Sequence, residues 1–431
     1  MTSSQIKESI ASLSHWFNSV KPFLLYRAED DVLIIPPNMV YKLNSTGTSL
    51  LKYLFAGGSL EKIPDCNEKR IRDIDRFFRN IQDCMDGKGV RTESVRYEFD
   101  FTRLPVLGEI AVTKRCNNRC LFCYAGCPGG SDYREMSTGQ IKKIIRIFRD
   151  KAKIPFFSFT GGEPLLRKDL ETLVAYALKV GLRTNLISNG TLITEERALS
   201  LYRAGLRTAQ ISLESSEAAI HDRLCGVEGA FEKTIEGIKA LKKAQIAVQT
   251  NTTICALNKD TIETMPPFLE GLGINRFSMN MYIPSRKNPL NHDLYISYSE
   301  IGDIVDKINS EAQRCGLTFF WYSPTPFCQF NPVARGLGNK ACAAMDGLIS
   351  VNCDGEVFPC SSYEEPIGNL LKKKFDTVWY SDRARYFKEK KYAPSECLDC
   401  SAFSACQAAC PLYWEACGTS ELHQNKEKTY K

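Results

Sequence analysis

Between Gly108 and about Pro284, short apolar runs alternate with segments of helical periodicity, and this alternation restricts the fold more than any other feature of the chain. The candidate strands are "GEIAVTKR", "PFFSFTGG", "LRTNLISNG", "TAQISLES", "IAVQTNTTI" and "RFSMNMYIP", with helical patterns between them, for example Thr138 to Lys151 and Glu217 to Lys243. Strands separated by helices pair in parallel, because each crossover helix returns the chain to the same end of the sheet. Six such units without a dinucleotide fingerprint favour a barrel, complete or incomplete, over a doubly wound sheet. Ser137 followed by Gln140 reads as a capping box opening the helix after the first strand's loop.

The expected fold class is therefore α/β, a partial (β/α)6 TIM-like barrel at 105–297. A small winged-helix-like α+β domain is expected before it at 20–97, from the strands "DDVLII" and "NMVYKLN" around the turn "PP" and the helices "TGTSLLKYLFAGG" and "NEKRIRDIDRFFRNIQDCM". A cysteine-rich, loop-rich domain is expected after it at 298–422. A length of 431 residues accommodates three domains at roughly 150 residues each.

The scattered charge, net +6, does not favour dedicated nucleic-acid binding. The N-terminus does not read as a secretory signal, and no apolar stretch reaches the length of a membrane span, so a cytoplasmic location is expected. In a reducing compartment the 18 cysteines are poorly explained as disulfides. Their clustering points to metal or redox chemistry.

Cys116, Cys120 and Cys123 have the spacing CxxxCxxC. One compact loop can turn three such thiols to a common centre, and iron-sulfur clusters are held by thiolates. Three ligands leave one iron of a 4Fe-4S cluster open if Cys127 stays out, and an open position means chemistry. Cys66, Cys84, Cys255 and Cys315 are isolated in periodic segments and read as small core residues.

The spacing, Phe122 before the third cysteine, and the later "TGGEPLL" together resemble the radical S-adenosylmethionine enzymes over Gly108 to about Pro284. The resemblance implies that the amino and carboxylate groups of S-adenosylmethionine bind the open iron, and that reductive cleavage yields a 5'-deoxyadenosyl radical. Gly161, Gly162, Glu163 and Pro164 match the motif holding the cofactor's ammonium group, the glycines allowing close backbone approach. Phe122 and Tyr124 would flank the adenine. Ser188, Asn189, Ser212 and Glu214 stand where the family contacts the ribose and the methionyl carboxylate. Cys225 occupies a position where many relatives have arginine, with Arg223 close by.

The C-terminal cysteines read Cys342, then Gly355 and Cys360, then "CLDCSAFSACQAAC" and Cys417. CxxC pairs of this kind also suit a zinc ribbon. The complete pattern of seven resembles the SPASM extension of radical enzymes, which implies two auxiliary 4Fe-4S clusters and an iron-sulfur-rich C-terminal domain. By that resemblance Cys342, Cys360 and Cys410 serve the first cluster, and Cys397, Cys400, Cys406 and Cys417 the second. A two-residue turn at Asp354-Gly355 would set Ile349 opposite Cys360 and leave Cys353 roughly 13 Å away at about 3.3 Å per residue. Cys328 is the remaining choice for a fourth ligand of the first cluster.

Relatives that make formylglycine carry an acidic residue after the cysteine matching Cys360. Here it is Ser361, and that activity is set aside. No histidine lies in the cysteine or glycine motifs, and no catalytic residue is assigned. The stretch "LNSTGTSLLKYLFAGGS" resembles the PqqD-like leader-binding domain, which implies a peptide substrate captured as an added strand. Three functions follow, in order of expectation: a peptide maturase that oxidises or crosslinks a side chain, an enzyme decarboxylating a small molecule or tetrapyrrole, and a non-catalytic electron carrier. A reductant such as flavodoxin or ferredoxin is the other expected partner; membrane and nucleic-acid partners are not expected.

Overall fold

The computed structural model describes residues 3–35, 39–63, 67–85, 102–127 and 134–423. It divides into two units, Met1–Val106 and Leu107–Lys431. The expected "PP" turn and Cys66 lie outside the described residues, as does the side chain of Cys84.

The first unit holds a three-stranded antiparallel sheet of β1 (Leu25–Arg27), β2 (Val32–Ile35) and β3 (Met39–Lys42), with β2 in the middle. Three helices accompany it: Ser3–Val20, Ser45–Phe55 and Glu68–Met85. Asn44 caps the second by accepting from Gly47 N, leaving its apolar Leu51 and Leu54 for the core. The first helix was not expected. Its Ile10, Leu13 and Phe17 share one face, and Phe17 stacks on Phe78 of the third helix at 5.3 Å. Arg27, at the end of β1, pairs with Asp30 and donates to the carbonyls of Leu104 and Pro105. These links carry the unit beyond both ends of the 20–97 expectation.

The second unit is built on a ten-stranded sheet in which all six expected strands are present. They are β4 (Leu107–Ala111), β5 (Phe156–Thr160), β6 (Arg183–Ser188), β7 (Thr208–Ser212), β8 (Ala247–Ile254) and β9 (Arg276–Met281), each parallel to the next. The sheet continues on both sides. β10 (Thr318–Trp321) adds a parallel strand beside β9, and β11 (Leu348–Val351) lies parallel to β4. β12 (Glu356–Phe358) and β13 (Gly368–Asn369) complete that edge. The cysteine-rich segment thus shares the barrel's sheet. β10, "TFFW", had no strand assigned because four residues carry little periodicity.

The strands alternate as the pleat requires. Ile110, Phe157, Phe159, Leu186, Ile211 and Phe277 are buried. The opposite face carries half-buried polar groups, among them Ser158, Asn185, Gln249, Asn251 and Asn280. Asn185 Nδ2 donates to Ser158, Gln249 Nε2 to Ser278 Oγ and Tyr322 OH, and Asn251 Nδ2 to Asn280. The concave face is therefore a lumen of amides and hydroxyls.

The hairpin between β11 and β12 departs from expectation. Ser350 pairs with Phe358 and Val351 with Val357, and Asn352 N donates to the Glu356 carbonyl. The loop is three residues, Cys353 to Gly355, with Gly355 at φ +88. A left-handed glycine closes such a loop with a bulge, so the register slips by one and Leu348, not Ile349, comes opposite Cys360.

Candidate active site

The cysteine loop leaves β4 at the end of the sheet where the parallel strands finish, and it is clamped from both sides. Gly162 N and Glu163 N donate to the carbonyls of Thr113 and Arg115, each at 2.8 Å. Arg119 N and Leu121 N donate to Cys225 and Leu224, each at 2.9 Å. A Cβ on Gly162 would stand 2.1 Å from the Arg115 carbonyl oxygen, and one on Gly161, which has φ +138, 2.3 Å from that of Thr113. The glycines thus let the motif press against the entry to the cysteine loop. Ser137 and Gln140 form the expected capping box in the helix Thr138–Ile147.

Glu163 is fully buried. Its carboxylate accepts from Leu165 N at 3.0 Å, Ser188 Oγ at 2.9 Å and Asn189 N at 2.9 Å. Burial raises its pKa to about 7, against those hydrogen bonds. Pro164 is buried in the short turn that follows. Ser188 is therefore occupied by Glu163. Asn189 instead reaches the cysteine loop, with Nδ2 donating to Asn117 Oδ1 at 3.0 Å, and Thr191 joins the same network. Glu214, also buried, accepts from Thr253 N at 2.7 Å, and burial raises it to about 7. Ser212 ends β7, half-buried.

Phe122 and Tyr124 have different neighbours. Phe122 packs on a cluster of Leu224, Cys255, Tyr282 and Leu294. The Tyr124 hydroxyl stands 3.2 Å from Thr160 Oγ1 at the end of β5.

Cys116, Cys120 and Cys123 interact electrostatically, and two more thiols join them. Cys127 hydrogen-bonds Cys123 and lowers it to about 6. Cys225 hydrogen-bonds Cys120, which raises Cys120, with burial adding to the effect. Cys225 Sγ also lies 3.4 Å from His221 Nε2, while His221 Nδ1 accepts from Glu214 N. Arg223 is exposed. His221 had no motif to mark it; its place four residues before Cys225, on one helical face, was the available signal. Cys255 is buried as expected. Cys315 is only half-buried, at the end of the helix Tyr298–Arg314.

Glu109 was also missed. It projects from β4 on the face opposite Ile110, hydrogen-bonds Ser350 Oγ at 2.5 Å and Ser361, and is raised chiefly by burial. A charged residue inside the strand "LGEIA" was its signal. Lys287 donates to the Ser361 carbonyl at 2.9 Å and lies 4.9 Å over the Phe358 ring. Lys340 lies 5.1 Å over Tyr322. Burial lowers the pKa of both lysines.

The C-terminal thiols fall into two groups and a remainder. Cys342, Cys360 and Cys410 interact with one another, with Tyr363 and Tyr392 beside them. Cys397, Cys400 and Cys406 form the second group, and Cys328 interacts with this group. Cys417 is bonded to Tyr295 and interacts with Glu421. Cys353 is buried, its carbonyl accepting from Met136 N, with Lys114, Asp354 and Glu135 as charged neighbours.

The residues fit iron-sulfur clusters. Each thiol group has a buried side-chain polar atom without a hydrogen-bond partner among the described residues: the Asn118 amide in the first loop, the Tyr363 hydroxyl beside Cys360, and Gln407 Oε1 after Cys406. Gln407, Ala408 and Ala409 have φ of 54, 60 and 59 in succession, a left-handed run that costs about 1–2 kcal/mol per residue. It directs the N–H groups of Ala408 and Ala409 at the Cys406 sulfur. Such nests hold anionic groups. Among the described residues no three side chains converge as a single metal ion requires; a 4Fe-4S cluster takes one thiolate per iron, at wider spacing.

Two family models match this chain: the radical SAM superfamily over residues 110–272, and an iron-sulfur cluster-binding domain, SPASM, over residues 342–401. The chain is a radical S-adenosylmethionine enzyme. The enzyme carries a SPASM domain and binds 4Fe-4S clusters and S-adenosylmethionine. It is 29% identical over 310 residues to an AdoMet-dependent heme synthase of Nitratidesulfovibrio vulgaris, covering 68% of this chain and 84% of that one. It is 34% identical over 205 residues to an Fe-coproporphyrin III synthase of Methanosarcina barkeri, covering 47% of this chain and 50% of that one. Among solved structures, Streptococcus suis SuiB bound to S-adenosylmethionine superposes with a TM-score of 0.66 at 17% identity, covering 91% of this chain and 97% of that one. That share exceeds what Leu107–Lys431 alone could supply, so the likeness of fold reaches into the first unit. Native anSMEcpe with bound AdoMet superposes with a TM-score of 0.57 at 18% identity, covering 70% of this chain and 89% of that one. Among the described residues no helix is long and apolar enough to cross a membrane.

Proposed function

We propose that the enzyme oxidatively decarboxylates a small carboxylate-bearing substrate, a tetrapyrrole with propionate side chains. The observation that carries this reading is Lys340, whose ammonium is desolvated over Tyr322 while no carboxylate interaction offsets that burial among the described residues. Lys340 is half-buried; a partly desolvated cation without a counter-charge is costly, and a substrate carboxylate would supply one. Tyr322 in turn bonds Gln249 of β8, so Lys340 borders the polar lumen. The heme and Fe-coproporphyrin III synthases support the same substrate class.

Cys116, Cys120 and Cys123 would hold the radical cluster, with Gly161, Gly162, Glu163, Asn189 and Glu214 around the cofactor. When bound, cluster and cofactor supply a hydrogen-abstracting radical, and the C-terminal clusters a place for the surplus electron. The chain's own part is orientation. Glu163 fixes the ends of β5 and β6 together, Asn117 and Asn189 hold the loop at Cys116, and Lys287 and Lys340 anchor carboxylates. The reductant would be a flavodoxin or ferredoxin.

Anaerobically reconstituted enzyme, given S-adenosylmethionine, dithionite and iron-coproporphyrin III, should release carbon dioxide and a vinyl product together with 5'-deoxyadenosine. Cofactor cleavage that the porphyrin neither stimulates nor directs to product would sink the tetrapyrrole reading.

Peptide maturation is the second reading, favoured by the likeness to SuiB, a structure of which is bound to the precursor peptide SuiA. In the first unit β1 and β3 each pair on one side only among the described residues, and such edges accept an added strand. Titration of the full chain with peptides encoded nearby separates the two readings: no affinity for any of them counts against maturation.

A further inference from the structure

The SPASM-like pattern contains seven cysteines, and Cys328 is not among them. It lies in the loop after β10, next to Phe327, whose backbone N–H donates to the Cys406 sulfur at 3.3 Å. That bond seats the Cys328 backbone against the thiol group of Cys397, Cys400 and Cys406. Cys406 and Cys400 are among the groups acting on Cys328, and Cys406, Cys328 and Cys400 are among those acting on Cys397. Cys417 is engaged elsewhere. At the end of the helix Pro411–Cys417, it is hydrogen-bonded by Tyr295, whose hydroxyl is 2.8 Å from that of Tyr413, with Glu421 as the neighbouring charge. No thiol is among the groups acting on it. The buried Gln407 Oε1, without a hydrogen-bond partner among the described residues, belongs to the residue directly after Cys406, and an amide's oxygen and nitrogen are interchangeable by a flip that would present a donor there.

The geometry points to Cys328 as the fourth thiolate ligand of the second auxiliary 4Fe-4S cluster, with Cys397, Cys400 and Cys406, in place of Cys417. The loop after β10 then closes the cluster, and Cys342, Cys360 and Cys410 remain a group of three thiols beside Tyr363 and Tyr392. The assignment concerns ligation alone and stands or falls independently of the substrate.

The test uses the full chain with Cys116, Cys120 and Cys123 changed to alanine, so that only auxiliary clusters contribute. Cys328→Ala and Cys417→Ala are each added, the proteins reconstituted anaerobically, and iron content and Mössbauer spectra compared. Cys417→Ala should retain the parent's iron and spectrum. Cys328→Ala should lose up to about four irons per chain or show an altered cluster spectrum. Iron loss in Cys417→Ala, or an unchanged Cys328→Ala, overturns the assignment. Should Cys328→Ala fail to fold, alkylation of the unaltered chain decides. Cys328 should become protected on reconstitution while the labelling rate of Cys417 stays the same; the reverse result overturns the assignment.

Discussion

The two cysteine regions are organised by different means. In the first, three thiols lie within eight residues of one loop, and that loop is held by backbone hydrogen bonds to Gly162 and Glu163 on one side and to Leu224 and Cys225 on the other. In the second, the thiols come from the loop after β10, the segments flanking the β11–β12 hairpin and a series of short helices, and a left-handed turn at Gln407–Ala409 aims N–H groups at one sulfur. The first site borrows its rigidity from the barrel. The second assembles from segments with little regular structure, and its cohesion depends on what the thiols bind.

The strongest way to break this comparison is to remove the first set. Changing Cys116, Cys120 and Cys123 together to alanine should abolish formation of 5'-deoxyadenosine while the C-terminal clusters remain loaded, read by iron counting; collapse of both sites would show that they are not separately held. Next is Gly162→Ala, whose methyl would stand 2.1 Å from the Arg115 carbonyl oxygen. Overpacking of this kind costs about 1–3 kcal/mol, and thermal denaturation should register it with loss of the first cluster. The corresponding small-to-large change at an open position, Gly271→Ala, meets no atom within 4 Å and should leave that cluster intact.

A third prediction concerns pH. The Glu163 carboxyl, raised from 4.5 to about 7 by burial, binds its proton more tightly folded than unfolded. Its contribution to stability is complete below about 4.5 and is lost as pH rises through about 7. Apo enzyme should therefore lose stability over that window more steeply than Glu163→Gln, measured by denaturant titration at several pH values. Equal slopes would remove Glu163 from the account. The same variant should bind S-adenosylmethionine at least about tenfold more weakly, a difference of about 1.4 kcal/mol.

The smallest effect is expected at Gln407→Gly. Glycine has no penalty at φ 54, and the substitution also removes a buried amide oxygen without a partner. The apo chain should gain about 1 kcal/mol, whereas no such gain is expected at Asn118, which lies outside the left-handed run.

Much of the first site was legible because its information is local. The spacing of Cys116, Cys120 and Cys123, the glycines before Glu163 and the alternation of the six strands are contiguous patterns, and short-range sterics and periodicity express them directly. The roles of neighbouring side chains were less legible. Ser188 has the residue type for a ribose contact, yet its hydroxyl is bonded to Glu163. Glu109 and Lys287 are ordinary charges in sequence, and only the pairing of β4 with β11 brings Ser350 to Glu109 and gives that carboxyl its partner.

The sequence by itself determined that this chain builds a parallel α/β barrel and carries thiols in numbers and spacings suited to clusters. Which thiols stand together was decided by tertiary structure. A one-residue difference in the hairpin loop changed the register at Cys360, and the return of β11 to β4 attached the cysteine-rich segment to the barrel's edge. Cys328 and Cys406 are 78 positions apart, and spacing along the chain has no bearing on a distance set by the folding of the loop after β10 against a left-handed turn.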